Sequence, residues 1–350
     1  MKIKNLISFL ETIAPPVYQE SYDNAGLIVG DPDTEINGVL LCLDSTEEVL
    51  EEAKELGCNL VIAHHPIVFK GLKRFNGHHY VERVVISAIK NDIAIYAIHT
   101  NLDNVYYQGV NAMIATKLGL TNTRILAPKK GLKKMIAYVH PNYSETVRKA
   151  IYNTGAGAVN GLRDHSHSSV GVTHEEGRST AEVKLEIIFP MDIQRQVINA
   201  LVQNYPVESP AYEILSIEND NEEIGSGMIG DLEEPLAETV FLKDLKRIMK
   251  AGVVRHTKLR NRRVRRVAVC GGSGGFLLNH AIRQKADVFV TADYKYHEFF
   301  DADGKIVIAD IGHYESEQYT IELLYEIISE KFSIFAAHCT KVNTNPVKYL

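Results

Sequence analysis

The chain has 350 residues, which is enough for two or three domains that each bury a sizeable core. Its net charge of −6 argues against nucleic acid or an anionic membrane as its main partner, and no apolar run approaches the ~20 residues of a membrane span. The four cysteines are far apart in the sequence, so we expect a cytoplasmic protein with neither a disulfide framework nor a thiolate zinc cluster.

The N-terminal third alternates apolar strands with amphipathic helices. A short helix is predicted at residues 4–14, and Asp23-Asn24-Ala25-Gly26 is typical of a turn. Residues 39–43 predict a strand, and a capping box formed by Ser45 and Glu48 begins the helix that follows it. This strand and helix are the first two elements of a predicted βαβ unit.

A second apolar strand, at residues 59–63, stops abruptly at His64-His65-Pro66, because proline has no N–H group with which to continue a sheet ladder. The two histidines are therefore expected at the carboxyl end of a parallel strand, where open α/β sheets place their ligands. The next strand, residues 93–98, ends in His99-Thr100-Asn101-Leu102-Asp103. Two neighbouring strands thus each end in side chains that can bind a metal.

The character of the sequence changes near Pro128, where a basic segment with glycine and proline is typical of a linker. Beyond it the predicted order is strand, helix, two strands, helix and strand, which is the βαββαβ order of ferredoxin-like domains. We therefore expect residues 129–225 to form an α+β domain inserted between an N-terminal lobe, residues 1–128, and a C-terminal lobe, residues 226–350.

The final third returns to the strand–helix pattern of the first. Strands are predicted at residues 264–270, 287–293, 305–310 and 333–337. The glycine-rich stretch 271–275 resembles a phosphate-binding loop but lacks its lysine, and a plain tight turn is the alternative that we favour. A long amphipathic helix is predicted to begin near Gly312 and to end near Phe332.

His313 and Glu317 are four residues apart at the start of this helix, so both side chains lie on one face of its first turn. With His64, His65 and Asp103 they make three imidazoles and two carboxylates. An open mononuclear catalytic zinc site uses three protein ligands, whereas five suit two ions that share a carboxylate or a water. Such ligands suit zinc, our first choice, and also manganese, iron, cobalt or nickel. Each group taken alone has a plain alternative as a surface or turn residue.

These motifs, in this order, resemble the Nif-three-like dinuclear metal-centre family, whose members are often labelled type-two GTP cyclohydrolase I homologues. The N-terminal residues 23–31 also resemble that family's signature, and the middle domain resembles the PII/CutA-like insertion of its longer bacterial members. The resemblance covers roughly residues 1–128 and 226–350 and is carried by His64-His65-Pro66, residues 99–103, the glycine turn, residues 293–297 and residues 312–317.

The resemblance implies a two-lobed α/β domain of strand–helix repeats, interrupted by the ferredoxin-like insertion. It also implies that His64, His65, Asp103, His313 and Glu317 hold two divalent metal ions per chain. The family forms toroidal homohexamers, built as trimers of dimers, in which the metal sites face an internal cavity. Its label implies hydrolytic opening of the imidazole ring of GTP by a metal-bound hydroxide, and a nucleotide or another phosphoester as the small-molecule partner.

His297 and His99 are additional candidates, because each follows a strand as the proposed ligands do. His297 is suited to act as a general acid or base or to orient a metal-bound water. The plain alternative for each is a histidine that is hydrogen-bonded behind the ligands.

A metal- or metabolite-responsive regulatory hexamer without turnover is the alternative function, and the PII-like insertion is its motivation. DNA binding is disfavoured by the acidic balance of the chain, although residues 255–266 contain a basic run, which is usually a solvated face. The sequence leaves open the native metal, the substrate and the identity of the bridging carboxylate.

Overall fold

The computed structural model describes residues 1–175, 177–206 and 210–350. The chain is a mixed α/β protein, and it divides into one unit formed by residues 1–127 and 225–350 and another formed by residues 128–224. Among the described residues, none of the helices combines the length and the apolar character needed to span a membrane.

Strands and helices alternate along the chain. Its first part contains α1 (Ile3–Ile13), β1 (Gly26–Val29), β2 (Gly38–Cys42), α2 (Glu47–Glu55), β3 (Leu60–Ala63), α3 (Tyr80–Lys90), β4 (Ala94–Ala97), α4 (Thr100–Asp103), α5 (Val110–Lys117) and β5 (Leu120–Lys129). Its central part contains β6 (Leu132–Val139), α6 (Pro141–Tyr152), β7 (Ser166–Glu175), β8 (Arg178–Pro190), α7 (Gln194–Asn204) and β9 (Ala211–Ser216). Its last part contains β10 (Asn221–Ala237), α8 (Glu238–Ile248), β11 (Arg255–His256), β12 (Arg263–Ser273), α9 (Leu278–Arg283), β13 (Val288–Ala292), β14 (Val307–Asp310), α10 (His313–Glu317), α11 (Thr320–Lys331) and β15 (Ala336–Cys339). Short 3-10 helices lie at Pro16–Tyr18, Met191–Ile193, Gly275–Leu277 and Tyr296–Ala302.

Five strands form the first sheet, in the order β1-β4-β3-β2-β15. The last four are parallel, and β1 is antiparallel at the edge. Every residue of β2, β3 and β4 is buried, which explains why these strands are short continuous apolar runs in the sequence. The strand predicted at residues 333–337 corresponds to β15, and it completes this first sheet, with Ala336 paired to Gly38.

Six strands form the second sheet, in the order β11-β14-β13-β12-β10-β5. Strands β12, β13 and β14 are parallel, whereas β10 pairs antiparallel with β12 and β11 pairs antiparallel with β14. Neither β5 nor β10 was predicted, because their residues do not alternate regularly between buried and exposed positions. Since each sheet takes an edge strand from the other end of the chain, the two predicted lobes form one unit.

Hydrophobic clusters hold the strands of each sheet against its helices. In the first sheet, Val49 of α2 and Val84 of α3 are fully buried with residues of β2, β3 and β4. In the second, Leu278 and Ala281 of α9 are buried with Phe289 of β13. This packing fixes the positions of the strand ends that carry the candidate site.

Helix α2 begins one residue later than predicted. Its cap is Thr46, whose Oγ1 accepts a hydrogen bond from the backbone N–H of Val49 at 3.3 Å, and Ser45 precedes the cap. Both residues suit a cap, and only the backbone geometry of the turn selects one of them.

The single helix predicted from Gly312 to Phe332 is interrupted, and its two parts are α10 and α11. Two side chains between them bond to carbonyl groups at the end of α8. Gln318 donates from Nε2 to Met249 at 2.8 Å, and Tyr319 donates from its hydroxyl to Ile248 at 2.5 Å. The amphipathic pattern crosses this break, so the sequence did not reveal it.

The second unit follows the order β6-α6-β7-β8-α7-β9. Its four strands form an antiparallel sheet in the order β7-β8-β6-β9. Both helices pack on one face of this sheet, where Val147 of α6 and Val197 of α7 are fully buried in the same cluster as Phe189 of β8. The order of these elements is the one that the sequence predicts.

Candidate metal centre

The five predicted ligands lie together in the first unit. His64 and His65 directly follow β3, Asp103 ends α4 after β4, and His313 and Glu317 are the first and last residues of α10 after β14. Three loops at the carboxyl ends of parallel strands, two from the first sheet and one from the second, therefore converge at one place.

Two groups of potential ligand atoms share Glu317. In the first group, Nε2 of His65, Nε2 of His313 and Oε2 of Glu317 are 3.0 to 3.3 Å from one another. In the second group, Nε2 of His64 is 3.6 Å from Oδ1 of Asp103 and 3.9 Å from Oε1 of Glu317. Each oxygen of Glu317 thus belongs to a different group, as in a bridging carboxylate.

The donor atoms fit a bound cation. Zinc held tetrahedrally at about 2.0–2.1 Å places its nitrogen and oxygen ligands about 3.3 Å apart, which is the spacing of the first group. In the second group, the buried atoms His64 Nε2 and Asp103 Oδ1 have no hydrogen-bond partner among the described residues. Buried polar atoms without partners are costly and rare, and a cation bound between these two atoms would satisfy both.

Burial and mutual contacts shift the pKa values of the cluster. Burial lowers the pKa of His64 to about 3. Burial also opposes the charged forms of His65 and His313, but hydrogen bonds to carboxylates outweigh it and raise their pKa values to about 10 and about 11. Burial and the charge of Glu317 raise the pKa of Asp103 well above its usual range. Burial opposes the charge of Glu317 as well, yet its hydrogen bonds to two imidazoles hold its pKa well below the usual range.

Each histidine of the cluster is held through its Nδ1 atom by a carbonyl or carboxylate oxygen. The pairs are His64 with the carbonyl of Ile98 at 2.9 Å, His65 with Asp44 at 2.8 Å and His313 with Asp293 at 2.7 Å. Such partners fix the ring orientation and leave Nε2 for a metal. Sequence reasoning missed Asp44 and Asp293, although both follow strands, and that position is the signal by which they could have been found.

His99 also belongs to this cluster, because one of its ring nitrogens lies within 4.8 Å of those of His64 and His65. Its Nδ1 is held by Asp23 at 2.8 Å, and Asp23 also accepts a hydrogen bond from the backbone N–H of Thr100 at 3.0 Å. The segment that begins at Asp23 was predicted as a turn, and its resemblance to a family signature gave Asp23 no role. Its carboxylate is fully buried, and its position orients a histidine of the site.

His297 lies apart from the cluster. It is exposed in the 3-10 helix Tyr296–Ala302, its ring contacts those of Tyr296 and Phe300, and it is not among the described residues that line the cavity beside the cluster. After β13 the chain turns at Asp293, whose φ is +60°, so that Asp293 reaches the cluster and His297 does not. The structure of one chain therefore does not bring His297 to the five predicted ligands.

The glycine-rich stretch 271–275 lies behind the cluster, where β12 ends at Ser273 and a 3-10 helix begins at Gly275, so the tight turn that we favoured is not found there. Three of its N–H groups donate to side chains within the fold, from Gly271 to Asn111, from Gly272 to Ser316 and from Gly274 to Thr291, at 2.9 to 3.0 Å. These groups are therefore unavailable for a phosphate. A Cβ atom on Gly272, whose φ is +60°, would overlap Oε1 of Glu317, so glycine at this position lets the backbone approach the shared carboxylate.

The cluster lies on the wall of a cavity of about 780 Å³. Acidic residues and histidines line this cavity together with the rings of Tyr22, Phe69, Phe276 and Tyr349, which are all substantially exposed. The cavity is large enough for a small organic molecule in contact with the cluster.

The whole length of the chain is similar to one family of proteins. Residues 1–346 match the family model described as Duf34/NIF3 (NGG1p interacting factor 3). The chain is 34% identical, over 368 aligned positions, to a Bacillus subtilis protein named GTP cyclohydrolase 1 type 2 homolog, and the match covers 99% of this chain and 98% of that protein. Among solved structures, a Bacillus cereus protein related to NIF3 has a TM-score of 0.87 and 35% identity, with 100% of this chain and 99% of that chain covered. A Staphylococcus aureus protein has a TM-score of 0.82 and 31% identity, also with 100% and 99% covered.

Proposed function

Because the chain belongs to the Duf34/NIF3 family, we propose that it is a metal-dependent hydrolase with two divalent ions bound at the cluster of His64, His65, Asp103, His313 and Glu317. The observation that carries the proposal is the position of Glu317, which gives one carboxylate oxygen to each of two groups of potential ligands. Zinc is the first choice for a site of imidazoles and carboxylates, and manganese, iron, cobalt or nickel also suit it.

The two groups divide the ligands evenly. His65, His313 and Oε2 of Glu317 would hold one ion, and His64, Asp103 and Oε1 of Glu317 would hold the other. Three protein ligands for each ion leave positions for substrate or water, which is a feature of catalytic sites. Both groups lie beside the cavity, so a substrate can reach them.

Bound ions of this kind act as Lewis acids and lower the pKa of a coordinated water. The chain itself contributes orientation and proton transfer. Asp44 and Asp293 hold the rings of His65 and His313, and Asp23 holds Nδ1 of His99, so that Nε2 of His99 is the ring nitrogen left to accept or donate a proton. The acid–base role of His297 stays a prediction, since it requires a neighbouring subunit to bring this residue to the site.

GTP is the first substrate to test, because the curated relatives carry the name GTP cyclohydrolase 1 type 2 homolog, and other phosphoesters come next. In that reaction water opens the imidazole ring of the guanine. We further propose that the second unit is a PII/CutA-like ferredoxin-like insertion within a cytoplasmic toroidal homohexamer, a trimer of dimers. The βαββαβ order of this unit supports the first part of that proposal.

The test combines metal analysis of the purified full-length protein with assays of GTP and a phosphoester panel. Wild type should contain about two metal ions per chain, and Glu317→Gln should lose most of both, because one carboxylate serves both groups. Glu326→Gln, on the exposed side of α11, is the matched control and should keep both ions and all turnover. Gel filtration with light scattering measures the subunit number.

Two results would refute parts of the proposal. If Glu317→Gln keeps both ions, the assignment of the shared ligand is wrong. If the wild type holds two ions but turns over none of these compounds, the hydrolase proposal fails for them, and the metal- or metabolite-responsive regulatory hexamer becomes the better function.

A further inference from the structure

The segment 340–350, which follows β15, runs along the edge of the fold where the candidate ligands lie. Strand β15 pairs parallel with β2, and the N–H group of Thr340 continues this pairing by donating to the carbonyl oxygen of Leu41 at 2.9 Å. The chain therefore leaves the first sheet at the carboxyl end of its parallel strands, which is the end that carries His64 and His65. Side chains of this segment thus lie close to the groups that support the cluster.

Two of these side chains bond to carboxylates around the cluster. The hydroxyl of Thr344 donates to Oδ2 of Asp44 at 2.6 Å, and Nδ2 of Asn345 donates to Oε1 of Glu315 at 3.1 Å. Asp44 follows β2 of the first sheet, whereas Glu315 belongs to α10, which follows β14 of the second sheet. The segment therefore contacts the supports of the candidate centre from both sheets.

Asp44 connects Thr344 to a candidate ligand. Oδ1 of Asp44 holds Nδ1 of His65 at 2.8 Å, while Oδ2 accepts the hydrogen bond from Thr344. The side chain of Asp44 is 38% exposed, so burial alone does not fix the plane of its carboxylate, whose terminal torsion is intrinsically broad. The bond from Thr344 removes this freedom, and it therefore also limits the rotation of the His65 ring.

His64 is oriented in a different way. Its Nδ1 is held by the backbone carbonyl of Ile98, which directly follows β4. A carbonyl group at the end of a paired strand cannot rotate as a side chain does, so the sheet itself sets the orientation of this ring. A change at Thr344 should therefore act on the group that contains His65 and spare the group that contains His64 and Asp103.

The segment is anchored without Thr344. The hydroxyl of Thr340 and the N–H group of Lys341 both donate to the carboxylate of Glu52. Loss of the Thr344 hydroxyl should consequently leave the course of the segment unchanged. An effect of that loss on metal binding would then come from Asp44 and not from a displaced segment.

We propose that Thr344 is a positioning residue of the metal centre, which holds His65 in its metal-binding orientation through the carboxylate of Asp44. The inference rests on the proposed function, because it presupposes ions at the two groups of ligands. It adds that these ions differ in what supports them. The ion at His65, His313 and Glu317 depends on a chain of two side chains, and the ion at the other group does not.

The test is zinc titration of the full-length protein in competition with a chelator. Thr344→Val keeps the shape of the side chain but lacks the hydroxyl, and it should weaken one of the two zinc ions about tenfold, the lower end of the usual loss when groups that orient metal ligands are changed. Thr344→Ser restores the hydroxyl and should restore the affinity for that ion. Thr180→Val, the same change at an exposed position of β8, is the matched control and should bind both ions as wild type does.

A double-mutant cycle shows whether Thr344 acts through Asp44. Asp44→Ala should weaken the same ion, and Thr344→Val should have no further effect in that background, because the group on which it acts is gone. Additive losses would overturn the inference. Equal weakening of both ions, or unchanged affinity for both ions in Thr344→Val, would overturn it as well.

Crystal structures of metal-free wild type and metal-free Thr344→Val separate this inference from the proposed function. The carboxylate of Asp44 and the ring of His65 should turn in the variant, whatever the metal content or turnover of the wild type. An unchanged contact between Asp44 and His65 would refute the inference alone. Failure of the wild type to bind two zinc ions would refute the dinuclear proposal, while the two crystal structures would still decide the role of Thr344.

Discussion

The substitution Gly272→Ala tests whether the end of β12 behind the cluster is shaped around the shared carboxylate. A methyl group at this position would overlap Oε1 of Glu317 and lie 3.3 Å from Nε2 of His313. Oε1 of Glu317 lies at the far end of a flexible side chain, so the protein can fold around the methyl group by moving the carboxylate. That movement takes one ligand atom away from each group of the candidate centre.

The substitution has two separate costs. Alanine in the left-handed region, at the φ of +60° found here, costs roughly 1–2 kcal/mol of stability. Displacement of the carboxylate should lower metal affinity on the order of 10- to 100-fold, which is the usual loss when groups that orient metal ligands are disturbed. Thermal unfolding of metal-free protein measures the first cost, and zinc titration in competition with a chelator measures the second.

Gly304→Ala provides a matched control. Gly304 has a similar φ of +64°, and a methyl group there would meet no atom within 4 Å. It should therefore lose the same stability and keep the metal affinity of wild type. The reasoning is refuted if both variants bind zinc as wild type does, or if both lose affinity by the same factor.

Three further predictions concern proton release, acid stability and helix capping. At pH 8 the metal-free protein carries protons on His65 and His313, because their pKa values are about 10 and about 11. Zinc binding should therefore release about two protons per chain from these imidazoles. Calorimetry in buffers of different ionisation enthalpy counts the released protons, and identical heats in all buffers would contradict the prediction. The pKa of Asp23 lies at about 2, because the hydrogen bonds to its carboxylate outweigh the effect of burial. The ionised form therefore adds roughly 2 kcal/mol to the free energy of unfolding, which is present above about pH 4 and lost as the pH falls through about 2. Asp23→Asn should remove this amount at neutral pH in urea unfolding, and a loss of stability that does not change with pH would contradict the prediction. Thr46→Ala should cost about 1 kcal/mol of unfolding free energy and Ser45→Ala clearly less, whereas the reverse order would show that Ser45 is the cap.

Much of the local structure around the site was predictable because it depends on neighbouring residues. The buried parallel strands β3 and β4 are continuous apolar runs, and the polar residues that end them mark the edge where ligands bind. The spacing of His313 and Glu317 places both on one face of a helical turn, and α10 contains both. These patterns were enough to name the five residues that the structure brings together.

Other features depend on which distant segments pair. The sequence did not indicate that β15 completes the first sheet or that β5 joins the second, since the choice of neighbour is made by long-range packing. It suggested His297, which lies apart from the cluster, and it gave no role to Asp23, which holds His99 across 76 positions of the chain. A carboxylate at a turn has the same local signature whether or not a histidine packs against it.

The sequence by itself determined the kinds of candidate ligand, the strand ends and the helical turn that carry them, and the order of elements in the second unit. Only the tertiary structure decided that Glu317 belongs to both groups of candidate ligands and that Asp44 and Asp293 orient His65 and His313. It also decided that Arg255 lines the cavity beside these groups. The reason is physical. Periodicity and capping act over a few residues, whereas the positions of these side chains are set by the packing of two sheets whose strands come from both ends of the chain.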